Sequence, residues 1–200
     1  MQIKIIFTEP LLGTLAGNKE VASEFILANN PKGMEADEVA ALPPAEALEK
    51  SSTVFPKENG VPFIWDYQFK GFLKEACEAM LGTEVLTQEE LKKFRLTRYL
   101  YKKTIDQLVF VSPRKIMLKL PEGGKIDICE RPLRGQTMQG ERIALARSEQ
   151  VPAGTEIELT ITSMNEKLFP FIEKWLTYGE LKGTGQWRNS GKGRFIWCKV

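Results

Sequence analysis

Histidine is missing from all 200 residues. Its absence removes the commonest acid–base side chain near neutral pH and the commonest metal ligand. Cysteine is scarce: Cys77, Cys129 and Cys198 are odd in number and far apart. They form neither a zinc-ligand spacing nor a disulfide framework, and they read as reduced, buried thiols of a cytoplasmic protein. No apolar run approaches the roughly 20 residues of a membrane helix, so no membrane is expected. The N-terminus MQIKIIFTEPLLGTL has no basic leader and reads as a first strand, not a signal peptide. There is no internal repeat, and no cofactor or metal site is expected. Carboxylates are absent from the end of the chain. None follows Glu180, whereas Lys182, Arg188, Lys192, Arg194 and Lys199 do.

What is present belongs to an ordinary globular chain, with 42% hydrophobic and 27% charged residues and a net charge of +2. A local positive surface on a nearly neutral molecule implies a focused anionic partner. The same charges also fit a solvated terminus.

Periodicity sets out the elements. Ile3, Ile5 and Phe7 alternate in a first strand. Residues 14–66 read as an insertion, with a helical candidate in EADEVAALPPAEALEK and a loop over KSSTVFPKENGVP. YQFKGFLKEACEAMLG places Phe69, Phe72, Leu73, Ala76, Cys77 and Met80 on one helical stripe, with Lys70 and Lys74 off it and Gly82 as its stop. An extra helix is predicted over 87–103. DQLVFV, KIMLKL and KIDICE read as strands, RPLRGQTMQGERIALARSEQVPAG holds one short strand at RIALAR, and TEIELTIT alternates strictly. A last helix has Pro170 in its first turn and Gly179 at its end; RFIWCKV is the closing strand. Stripped of insertions the order is βαββαβ, an α+β chain on the ferredoxin-like (RRM-like) plan, whose sheet has one face free for a ligand.

The segment GTGQWRNSGKGRF lies between that last helix and strand. As a phosphate loop it fails: Gln186 stands where the first glycine belongs, Gly193 follows Lys192 in place of Ser or Thr, and no helix can follow. As a dinucleotide fingerprint it fails at Arg188, which occupies the third glycine position. It does have symmetry, Gly-x-Gly, five residues, Gly-x-Gly. Glycines allow close approach and positive φ, while Trp187 can stack on a base and Arg188 can grip phosphate. The alternative is a surface hairpin whose glycines serve turns alone and whose Trp187 is buried.

GTGQWRNSGKG resembles the C-terminal glycine-rich loop of the repeat-associated mysterious protein (RAMP) superfamily, the RNA-binding subunits and processing nucleases of CRISPR systems. That pattern is Gly-hydrophobic-Gly, five residues with a Lys or Arg, then Gly-hydrophobic-Gly, and it precedes the last strand of a ferredoxin-like domain. Gly183, Gly185, Gly191, Gly193 and Arg188 match; Thr184 and Lys192 depart from the hydrophobic positions. IKIIFTEPLLG is similar to the family's opening strand and turn. FKGFLKEA is similar to the entry of its first helix at Lys70, Gly71, Phe72 and Leu73, and QVPAGTEIELTI to the strand before its second. The resemblance implies a single RAMP-like domain over 1–200, with an insertion at about 14–66 and an extra helix at about 87–103 that match nothing in it.

It also implies RNA binding first and catalysis only sometimes. Processing nucleases of the family rely on a histidine, which this chain lacks; Tyr67, Tyr99, Tyr101 and Lys70 are the residues that a histidine-free ribonuclease would use. Asp37 and Asp66 fall where some backbone subunits carry a cutting aspartate, in no motif of their own. The expectation is a non-catalytic RNA-binding protein. Lys182, Arg188, Lys192 and Arg194 would meet phosphates, Trp187 would stack, Asn189 and Ser190 would add hydrogen bonds, and Lys70, Arg131 and Arg134 would extend the surface. The alternative for Arg131 and Arg134 is pairing with Glu130 or Glu141. Single-stranded DNA could serve as the polymer. The rival expectation is an assembly protein that packs with itself or with CRISPR subunits, or a phage or mobile-element mimic of one.

Overall fold

A computed structural model describes residues 1–16, 52–81, 83, 87–137 and 140–200. The helical candidate in 35–50, Asp37 and the Gly82 stop lie outside them.

Four strands carry the main sheet: β1 (Gln2–Phe7), β7 (Val109–Ser112), β11 (Glu156–Ser163) and β12 (Phe195–Lys199). Their order is β12-β1-β11-β7, with every neighbour antiparallel. Helix α1 (Asp66–Met80) lies between β1 and β7 in the chain, and α4 (Phe169–Lys182) between β11 and β12. Strand alternation and helical periodicity then build one core. Ile3, Ile5, Phe7, Val109, Val111, Ile157, Leu159, Ile161 and Phe195 are buried together with Phe69, Phe72 and Leu73 of α1 and Ile172, Trp175 and Leu176 of α4. The molecule is thus α+β with helices against the sheet. On the other parity of the strands, Lys4 bonds Glu156 at 2.7 Å and Lys119 bonds Glu158 at 2.8 Å. Among the described residues acids and bases there are matched, so these strands present no surplus positive charge to a polyanion.

Gly179 does not end α4, which continues to Lys182 and stops at Gly183 (φ +79). The reason for glycine at 179 is packing: a Cβ there would lie 2.3 Å from the Phe195 ring and 2.5 Å from the Phe72 ring. Pro170 is in the first turn as expected.

The stretch read as loop is strand. β4 (Ser52–Val54), β5 (Lys57–Glu58) and β6 (Val61–Trp65) lead into α1. Their partners include β3 (Leu15–Ala16) beside β4 and β8 (Lys115–Met117) beside β6, both antiparallel. Asn59 and Gly60 both have positive φ, +50 and +80, which is the two-residue hairpin turn between β5 and β6. The segment RPLRGQTMQGERIALAR, largely unassigned from sequence, forms β9 (Asp127–Thr137) and β10 (Gly140–Val151), paired antiparallel along their whole length. The far end of β10 is anchored by β2 (Leu11–Leu12) and, in parallel, by β4. Glu149 of β10 fastens this corner: its carboxylate accepts the Phe55 N–H at 2.9 Å and Lys57 Nζ at 2.7 Å.

The extra helix at 87–103 is two helices, α2 (Gln88–Lys93) and α3 (Tyr101–Leu108). Arg95 separates them with φ +56. The Leu96 N–H reaches back to the Leu91 carbonyl at 2.8 Å and the Arg95 N–H to Lys92 at 3.1 Å. With Leu91 and Leu96 both buried, this is a Schellman stop built on arginine where glycine is usual. Of the thiols expected to be buried, Cys77 is; Cys129 is half-buried and Cys198 exposed.

Candidate nucleic-acid interface

The glycine-rich segment is a closed hairpin anchored by backbone hydrogen bonds. The Thr184 N–H donates to the Gly193 carbonyl at 2.9 Å, and the Gly193 N–H donates to the Pro10 carbonyl at 2.9 Å. The Arg194 carbonyl accepts the Thr8 N–H at 2.9 Å. These bonds seat the hairpin on the turn between β1 and β2. Gly193 is obligatory, because a Cβ would stand 2.0 Å from the Thr184 carbonyl oxygen at φ +70. Thr184, one of the two departures from the family pattern, is buried. Within the hairpin, Arg188–Ser190 form a single 3-10 turn; Ser190 Oγ donates to the Trp187 carbonyl at 2.9 Å, and Gly191 takes the left-handed conformation after it.

This frame fixes where the cations go. Lys182 Nζ donates to Asn189 Oδ1, a neutral partner, at 2.9 Å. Arg194 is exposed and Lys192 half-buried. Among the described residues none of Lys182, Lys192 and Arg194 is paired with a carboxylate. Arg188 differs: its Nη1 pairs with Glu75 Oε1 on α1. That carboxylate occupies the guanidinium expected to meet phosphate, so Arg188, unlike the other three cations, has an acidic partner within the chain.

Trp187 is 40% exposed, so the hairpin with a buried tryptophan is not what forms. Its ring stacks on the Arg131 guanidinium, 5.0 Å from centroid to Cζ, and Arg131 Nη2 donates to Gln186 Oε1 at 3.2 Å. Arg131 thus joins the hairpin from β9, and Glu130 is taken by Arg147 at 2.7 Å. Arg134 lies three positions farther along β9, opposite Ile143. Lys70 is not part of the assembly. Its Nζ donates to the Asp106 carbonyl at 3.0 Å and lies 5.2 Å from the centre of the Phe110 ring. Burial is the main cause that lowers its pKa, with Asp106 opposing it.

Two cavities flank the Arg188–Glu75 pair. One, of about 400 Å³, is lined by Arg131, Lys182, Gln186, Trp187 and the pair itself. The other, of about 340 Å³, is mainly apolar, with Leu11, Leu12, Phe69 and Phe72 on its walls. Glu75 is not singled out by the sequence, and Gln186, Phe69 and Phe72 are legible there only in other roles. Glu75 and Arg188 are 113 residues apart, and only the fold brings them together.

Of the candidate proton carriers, Tyr99 and Tyr101 line neither cavity, and Tyr67 stacks on Trp65, 6.2 Å between ring centres. Tyr101 is buried, and burial followed by the neighbouring Glu78 carboxylate pushes its pKa up to about 12. Tyr99 is 93% exposed. Asp66 opens α1 and takes Arg114 at 3.4 Å. No group of metal-ligating side chains occurs among the described residues, and no described helix is long and apolar enough to cross a membrane.

No family model and no curated protein sequence matches the chain. Solved structures do. A chain in the structure of a type III-B Cmr-beta complex bound to cognate target RNA superposes with a TM-score of 0.50 at 12% identity, over 99% of this chain and 59% of that one. A chain of a type IV-B CRISPR complex gives a TM-score of 0.47 at 13% identity, over 98% of this chain and 88% of that one. The first of these likenesses, at 12% identity, is one of fold. The chain spans about three-fifths of the length of the Cmr-beta chain it is similar to.

Proposed function

We propose that this chain is a non-catalytic RNA-binding protein of the RAMP kind, with a ferredoxin-like core, and that its C-terminal hairpin is the RNA contact. The observation that carries the reading is the hairpin itself: Lys182, Lys192 and Arg194, none paired with a carboxylate among the described residues, share with an exposed Trp187 a backbone held in place by glycine. Cations of this kind neutralise phosphates, and an exposed indole gives a base a face to stack on. The strand order β12-β1-β11-β7, with helices in the two crossovers, supports the core. The similar Cmr-beta chain, from a complex bound to target RNA, supports the setting.

The test is salt-titrated fluorescence anisotropy with labelled single-stranded RNA. Log affinity for a single strand falls with log salt at about 0.7 per phosphate neutralised. Replacing Lys192 and Arg194 together by alanine should weaken binding and reduce the slope by about 1.4. An unchanged slope removes the hairpin from the account. The same titration with single-stranded DNA asks whether the 2′-hydroxyl matters.

A second reading is favoured by the Arg188–Glu75 pair: a chain that has kept the fold, internally neutralised its central cation and become an assembly subunit or mimic. It requires that no nucleic acid copurify and that mass by light scattering rise with concentration.

A further inference from the structure

Arg131 sits oddly for a surface cation. Its Nε and Nη1 are enclosed and have no hydrogen-bond partner, and only Nη2 reaches Gln186. A guanidinium stays charged throughout the ordinary pH range, and enclosed donors on a charged group are costly to leave unmade. Trp187, stacked over that guanidinium, is itself unusual. It is held at φ +53, ψ 36, the left-handed region that a bulky side chain rarely adopts. Two unfavourable features therefore coincide in one contact, on the wall of the 400 Å³ cavity. Strain and unmade hydrogen bonds gathered at a cavity mark a place prepared for a ligand.

We propose that Trp187 is a displaceable cover over an oxyanion site, and that the enclosed donors of Arg131 take a phosphate group once the indole moves aside to stack on a nucleobase. The base-stacking half rests on the RNA reading; the phosphate half does not. In the free protein the indole satisfies Arg131 by a cation–π contact. A phosphate does so better, through charge-assisted N–H···O bonds. Lys182 adds positive charge on the same wall, and the Glu75 carboxylate that also lines it is paired with Arg188.

Two probes separate the halves: tripolyphosphate, which has no base, and a single-stranded RNA, each titrated calorimetrically. Trp187→Ala should strengthen tripolyphosphate binding about five-fold, because one cation–π contact no longer competes. The same variant should weaken RNA about ten-fold, because one base loses its stacking surface. Arg131→Ala added to Trp187→Ala should abolish the tripolyphosphate gain. Trp187→Gly, which relieves the left-handed backbone, should give the same crossed result and guards against a folding defect. Tripolyphosphate affinity that falls or stays level in both Trp187 variants overturns the proposal, as does a gain that survives Arg131→Ala. A tripolyphosphate gain in a protein that binds no RNA leaves the oxyanion site standing and removes the base-stacking half along with the RNA reading.

Discussion

Alanine at Gly193 and alanine at Gly191 differ in kind of cost, and the difference reports whether the hairpin is closed as described. Both glycines have positive φ, +70 and +86. A left-handed alanine costs roughly 1–2 kcal/mol, and about 0.4–1 kcal/mol returns through the smaller freedom of the unfolded chain. At Gly191 nothing else opposes the methyl, whose nearest neighbour is the flexible Arg194 side chain at 3.7 Å. Gly191→Ala should therefore cost about 1 kcal/mol. At Gly193 the methyl would meet the Thr184 carbonyl oxygen at 2.0 Å and its carbon at 3.0 Å. Neither atom can yield without breaking the Thr184–Gly193 and Gly193–Pro10 bonds, both 2.9 Å. Each such bond is worth about 1 kcal/mol. Gly193→Ala should then cost at least about 3 kcal/mol, and RNA affinity should fall with it. Urea unfolding followed by tryptophan fluorescence reads both values, provided the m-value stays constant. Equal costs for the two variants would refute the closed hairpin.

Three further outcomes follow from the same structure. Burial raises Cys77 to about 12 from 9.0 and Tyr101 to about 12 from 10.0. Stability is complete below pH 9 and is lost as pH rises toward 12, at about 1.4 kcal/mol per pH unit for each group that only the unfolded chain has ionised. Melting temperature against pH should show a shallower alkaline limb in Cys77→Ala, and parallel limbs would contradict the burial. Gly179→Ala should cost about 2 kcal/mol in chemical denaturation, as an overpacked contact with the Phe195 and Phe72 rings; a neutral result would mean α4 lies farther from β12. Glu149→Ala should cost about 2 kcal/mol, because the Phe55 N–H loses its acceptor; its hydrogen exchange should accelerate, and unchanged protection would count against the anchoring of β10.

Much of the framework is legible in the sequence because it obeys one period at a time. β1 and β11 alternate strictly, α1 and α4 have apolar stripes, and their packing needs no further information. The missed elements break that rule for identifiable reasons. β9 and β10 pair mainly with each other, and Pro132 argues against a strand. β5 and β6 are short and punctuated by proline, although Asn59-Gly60 is a hairpin signal within them. The break at Arg95 uses a left-handed arginine, which no composition rule anticipates. At the site, the glycines and their spacing could be read directly. The counter-charge on Arg188 and the stacking of Arg131 on Trp187 could not, because both depend on the meeting of distant elements.

Where RNA touches the protein decides the account most directly. Single-stranded RNA containing 4-thiouridine, photocrosslinked to the purified chain and mapped by mass spectrometry, should attach at Trp187 and its hairpin neighbours. Crosslinks confined to the outer face of the β12-β1-β11-β7 sheet, with the hairpin unlabelled, would contradict it.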